Sequence, residues 1–138
     1  MGAPVILTDA VVFIDGVDMT DFTSQVSIEQ SLDDVDVTTF GSGGVRERIA
    51  GIGDGSFGIS MFQSWETNAV NDTLSGIVGT VVAVKVKPTS GAISATNPEY
   101  QFDVLITEWT PMQASAGEVA TVDATWPIDG AVVRDIVP

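Results

Sequence analysis

Residues 35–59 read VDVTTFGSGGVRERIAGIGDGSFGI. The stretch begins in alternation, with Val35 and Val37 flanking Asp36, crosses a glycine-rich segment and resumes alternation at Phe57 and Ile59. Successive side chains of a strand point to opposite faces, so alternation on both sides marks two half-buried strands. The segment between them, about 41–55, has little core of its own and is expected to be a loop. It carries Arg46 and Arg48, two of the five basic residues in a chain of 19 acids and net charge −14. Spaced two apart in an extended segment, both arginines point the same way and can engage one acidic patch.

Period-two patterning extends outward from this stretch. Val26, Ile28 and Leu32 share a face with Gln30, opposite Gln25, Ser27, Glu29 and Ser31. Phe57, Ile59 and Met61 alternate with Ser56, Gly58 and Ser60, and Val82, Val84 and Val86 with Ala83, Lys85 and Lys87. Near the end Ala120, Val122, Ala124, Trp126 and Ile128 alternate with Val119, Thr121, Asp123 and Thr125. The run from Tyr100 to Trp109 is apolar on both sides and is expected to be covered on both. Asp15-Gly16 is a hairpin signal, and Asp129-Gly130 repeats it before Ala131–Val137. Residues 88–98, with Ser90-Gly91 and Asn97-Pro98, read as a polar loop.

One segment breaks the period. Val70, Leu74 and Ile77 recur at helical spacing, which predicts a short amphipathic helix over about Thr67–Gly76, with Thr67 as its cap. With 138 residues, no fixed-period repeat and no low-complexity linker, the expectation is one mainly β domain spanning 1–138. Its architecture is expected to be a β-sandwich or partial barrel of two antiparallel sheets flanked by that helix.

Composition narrows the chemistry. Cysteine and histidine are both absent, which removes disulfides, thiol chemistry, ordinary zinc sites and the usual neutral-pH general base. Asp33, Asp34 and Asp36 form a carboxylate cluster, but its place at the end of a strand favours a solvated turn over glycosidase work. The cluster also departs from the EF-hand spacing, and the Asp15, Asp18, Asp21 ladder follows no ligand pattern. Gly41-Ser42-Gly43-Gly44 lacks the Lys-Ser/Thr of a phosphate loop. No catalytic, metal or cofactor site is therefore expected. Tight nucleic-acid binding is disfavoured by so few bases. The first basic residue is Arg46, so a secretory signal is not expected, and the longest apolar run, about 77–84, is far short of a membrane span.

The longer stretch DVDVTTFGSGGVRERIAGIGDGSFGISMF, residues 34–62, resembles the signature region of tail-tube (major tail) proteins of long-tailed bacteriophages and of gene transfer agents. The matching residues are Val37, Thr38, Thr39, Phe40 and Gly41, then Arg46 and Arg48, then Gly51, Asp54, Gly55, Ser56 and Phe57. VDATWPIDGAVVRD, residues 122–135, is similar to the closing strand and tail of that family. The resemblance implies a structural, non-enzymatic virion protein, made in the host cytoplasm, whose hexameric rings stack into a hollow tube. It implies that Val45, Arg46, Glu47, Arg48 and Ile49 lie in a loop reaching a neighbouring subunit or ring, and that residues 131–138 form a strand or arm. Ser27, Glu29, Ser31, Thr121, Asp123 and Thr125 become candidates for the wall of a channel through which DNA slides without specific binding. Implied partners are further copies of the chain and the tape-measure, terminator and distal tail or baseplate proteins, with no membrane and no cofactor. The competing reading is an immunoglobulin-like or lectin-like binding module, for which the 88–98 loop and exposed aromatics at Trp65 and Trp109 would speak.

Overall fold

The protein is described from a computed structural model covering residue 4, residues 6–67 and residues 69–137. Residues 1–3, 5 and 138 of the expected domain, and Asn68 of the expected helix, lie outside the described residues. The fold is mainly β. Its strands are β1 (Val11–Ile14), β2 (Val17–Asp18), β3 (Thr23–Asp36), β4 (Arg48–Phe62), β5 (Val81–Lys87), β6 (Glu99–Leu105) and β7 (Thr121–Asp135). Among the described residues one short α-helix, α1 (Val70–Leu74), precedes β5. Every strand pairing is antiparallel, in the order β2-β1-β5-β6-β7-β4-β3.

The two expected sheets are joined through β7 into one. Its first half pairs with β4, from Thr121 opposite Phe62 to Pro127 opposite Ser56. Its second half pairs with β6, from Ile128 opposite Val104 to Asp135 opposite Glu99. Proline, with no N–H to donate, stands where β7 leaves one partner for the other. Asp129-Gly130 is accordingly not a turn. It lies inside β7, where Gly130 takes φ 91° and the register against β6 shifts between Gln101 and Asp103. The positive φ absorbs a bulge that re-aims the strand. Asp15-Gly16 does form its hairpin, with φ 52° and 77°, both positive as a type I′ turn requires.

The alternating residues fill the space between the two halves. Phe57, Ile59 and Met61 of β4, Val82, Val84 and Val86 of β5, and Val122, Ala124, Trp126 and Ile128 of β7 are all buried. Phe57 sits at the centre, its ring 5.2 Å from Phe102 and 6.2 Å from Trp126, tying β4, β6 and β7 together. β6 is covered on one face only: Phe102 and Val104 are buried while Asp103 is exposed. The apolar sequence beyond Leu105 had suggested two covered faces, but there the chain leaves the sheet, with Ile106 buried and Trp109 half-buried against the core. The helix is shorter than expected, one turn long, and begins after Ala69, so Thr67 does not cap it. Its stripe holds: Val70 and Leu74 are fully buried and Ile77 packs beside them.

Candidate assembly surfaces

β3 and β4 are long strands, and only their inner portions belong to the body. Past Glu29 and Ser56 the third strand β7 has turned away, and β3 and β4 continue alone as a two-stranded ribbon. Residues 31–41 and 43–54 are all exposed, so this arm stands clear of the core. Six residues from Ser31 to Asp36 give it a reach of about 20 Å before its apex. The expected loop of about 41–55 is thereby narrowed. β4 already begins at Arg48, and small residues in Gly51, Gly53 and Gly55 had masked the strand.

The arm is held by its own bonds. The arginines do point the same way and do meet one acidic pair, which belongs to their own hairpin. Arg46 Nη1 donates to Asp36 Oδ2 at 2.6 Å, and Arg48 pairs with Asp34. Asp33, Asp34 and Asp36 lie in the last residues of strand β3, solvent-exposed but not in a turn. At the apex Phe40–Ser42 make a single 3-10 turn, with Thr39 N–H donating to Ser42 Oγ at 3.0 Å and Ser42 N–H to the Thr39 carbonyl at 3.0 Å. Val37 N–H reaches the Glu47 carbonyl at 2.9 Å, and Glu47 N–H reaches Thr38 Oγ1 at 2.9 Å. The Thr38 hydroxyl and backbone N–H, with a smaller contribution from Arg46, hold the Asp36 carboxyl below its ordinary value. The arm also carries exposed apolar side chains: Leu32, Val35, Val37, Phe40, Val45, Ile49 and Ile52.

A second surface lies on the outward face of β3, β4 and the first half of β7. Three cross-strand rows define it: Gln25–Ser60–Asp123, Ser27–Gly58–Thr125 and Glu29–Ser56–Pro127. The rows floor a shallow depression of about 530 Å³, in which Ser27, Glu29, Asp123 and Thr125 converge. Thr121 is one row below, opposite Phe62, and Ser31 is one row above, opposite Asp54 at the root of the arm. Glu108 joins them from an irregular segment: its Oε1 accepts from Thr125 N–H at 2.7 Å and its carbonyl from Trp126 Nε1–H at 3.0 Å. No local pattern announces Glu108, because only the fold lays that segment along β7. Every charged side chain around the depression is acidic; Lys85 and Lys87 are on β5, Arg134 on the far half of β7, and Arg46 and Arg48 on the arm.

The third feature is an edge. β3 pairs only with β4, and apart from Thr23, whose N–H donates to the Met19 carbonyl, the other side of this 14-residue strand has no backbone partner among the described residues. The equivalent edge of β7's first half is covered instead, by Gln113 accepting from Thr121 N–H and by Glu108. Among the described residues no cluster of three or more His, Cys, Asp or Glu is arranged to hold a metal ion, and no helix is long and apolar enough to cross a membrane.

No protein-family model matches the chain, and no curated protein does. Solved structures do. The fold is shared with a chain in the virion of a native gene transfer agent particle, at TM-score 0.73 and 18% identity, covering 95% of this chain and 98% of that one. It is also shared with a chain in the tail of an empty gene transfer agent particle of C6 symmetry, at TM-score 0.59 and 18% identity, covering 82% and 81%.

Proposed function

We propose that this chain is the structural subunit of a tail tube, which closes into six-membered rings that stack around a channel for DNA. The observation that carries the reading is the polar face of β3, β4 and β7, whose charged side chains are all acidic and which is bounded by the free edge of β3. Six copies at −14 each give a ring a net charge of about −84. A wall of hydroxyls and carboxylates without lysine or arginine gives phosphates nothing to hold, so DNA slides. Ser27, Glu29, Asp123 and Thr125, extended by Ser31 and Thr121, are its proposed lining.

Ring closure also resolves the edge. A long strand with unpaired N–H and C=O groups is a template for another chain, and joining neighbouring sheets into a barrel removes it. The arm, with Val45, Arg46, Glu47, Arg48 and Ile49, then reaches an adjacent subunit. The role is mechanical and non-catalytic, in the virion tail after synthesis in the host cytoplasm, with tape-measure, terminator and distal tail proteins meeting the tube inside and at its ends. The likeness to a chain of a sixfold tail supports this reading.

Sedimentation and negative-stain electron microscopy of the purified protein test it. Sixfold rings or tubes are expected. A strict monomer at high concentration that binds glycans would favour a sandwich-type binding module instead.

A further inference from the structure

Residues 108–113 lie beside the first half of β7 without joining it as a strand. One end already alternates as a strand does. Glu108 lies with Thr125 at the acidic depression, and Trp109 packs against the core as Ala124 does. The other end is already tied. Thr121 N–H donates to the Gln113 carbonyl at 3.0 Å, and between them Glu118 N–H donates to the Ser115 carbonyl at 3.0 Å, with Gly117 at φ 83°. This is one rung and the turn of a β-hairpin whose other rungs are not made.

Three side chains stand where those rungs would be. A backbone ladder would carry Thr125 N–H to the Glu108 carbonyl. Instead the Glu108 carboxylate accepts from Thr125 N–H at 2.7 Å, and the Trp126 indole N–H donates to the Glu108 carbonyl at 3.0 Å. Between the two ends Gln63 Nε2 donates to the Pro111 carbonyl at 2.6 Å, and among the described residues no backbone bond joins Asp123 to the segment. Six residues, Glu108 to Gln113, face five, Thr121 to Thr125, so a complete ladder holds one extra residue. Pro111 suits that bulge, where no N–H is needed.

We infer that residues 108–113 are a strand held unzipped in the free subunit by Glu108, Trp126 and Gln63, and that they zip onto β7 when the free β3 edge of a second copy lies along their outer side. The inference rests on the tube reading and names what regulates ring closure. The physical reason is the edge. Zipped alone, the segment would present a second row of unpaired N–H and C=O groups, across the β3-β4-β7 half from the open edge of β3. A subunit with two complementary open edges propagates edge to edge. Kept irregular, with the Thr125 amide satisfied by a carboxylate, the segment offers no template. Zipping needs little chain movement, since the Gln113 rung and the turn are in place. The Glu108 carbonyl has two lone pairs, so it keeps the indole and gains Thr125 N–H. The released carboxylate stays at the depression and adds to its acidic wall.

Backbone carbon chemical shifts of residues 108–113, read in solution for the unassembled protein and by solid-state NMR for tubes, test this without any substitution. Irregular values are expected in the first and strand values in the second. Glu108→Val removes the carboxylate acceptor and adds a strand-favouring side chain. It is expected to associate at severalfold lower concentration than wild type, into open ribbons as well as rings. Glu108→Gln keeps the acceptor oxygen and is expected to behave as wild type. Should Glu108→Val not fold, Gln63→Ala, which frees the Pro111 carbonyl, is expected to shift association the same way. Tubes in which residues 108–113 keep irregular shifts, or folded Glu108→Val or Gln63→Ala proteins that associate only at the wild-type concentration, would overturn the inference and leave the tube reading intact. Wild-type protein that forms neither rings nor tubes would overturn the tube reading and the inference with it.

Discussion

The body and the arm of this molecule are built from the same two strands under opposite rules. In the body, β3 and β4 lay Val26, Ile28, Phe57 and Ile59 against a third strand and an aromatic centre, and apolar burial dominates. Beyond Glu29 and Ser56 the same strands keep their ladder but lose the core, and what remains is backbone pairing, two exposed ion pairs and seven exposed apolar side chains. A single chain gains little by maintaining such a ribbon. Its apolar side chains have a use only when another molecule covers them.

Breaking the body should produce the largest effect. Trp126 is fully buried, stacks near Phe57 and donates to the Glu108 carbonyl. Trp126→Ala should cost about 3–5 kcal/mol in chemical denaturation, and Leu74→Ala, beneath the helix, about 2–5 kcal/mol. A loss below ~0.5 kcal/mol for Leu74→Ala would make the helix peripheral to the core. Breaking the arm should leave the body almost untouched. The Arg46–Asp36 and Arg48–Asp34 side chains are all about half exposed or more, and ion pairs so open to solvent contribute little to stability. Arg46→Glu/Arg48→Glu should therefore melt within a few degrees of wild type, while four clustered carboxylates splay the ribbon and abolish assembly. Normal tubes from that folded variant would refute a contact role for the arm.

Acid supplies the finest separation of the two regions. The folded-state pKa of Asp36 is depressed, so its contribution is complete above the ordinary value of 3.8 and disappears as pH falls through the lower folded value. The buried set of the body contains no charged residue among the described ones. As pH falls below 3.8 the amides of Thr38 and Glu47 should lose protection relative to their intrinsic exchange rates, ahead of those of β7. Simultaneous loss would mean that arm and body unfold as one unit.

The division was only partly legible in the sequence. Alternation located the buried faces of β4, β5 and β7 because a half-buried strand must alternate, and Asp15-Gly16 marked its hairpin because a two-residue turn needs positive φ. Asp129-Gly130 carries the same dipeptide and failed as a signal. The partner of the following residues is β6, already in place upstream, so the chain runs straight on through a bulge. Ser27, Glu29, Asp123 and Thr125 were assigned to one side of their strands correctly, but that β4 brings those strands together is a long-range fact. The arginines' common direction was readable from spacing; their partners Asp34 and Asp36 were not, since the ribbon's return through Gly51, Gly53 and Gly55 has no apolar rhythm.

Hydrogen exchange, compared between the unassembled and the assembled protein, tests most directly that arm and edge exist for another copy. Amides of β7 and of β4 from Phe57 to Met61 should be protected in both states. The outward-facing amides of β3 and those of the arm apex, residues 37–47, should exchange rapidly in the monomer and become protected on assembly. Equal protection of β3 and the apex in both states would contradict the account.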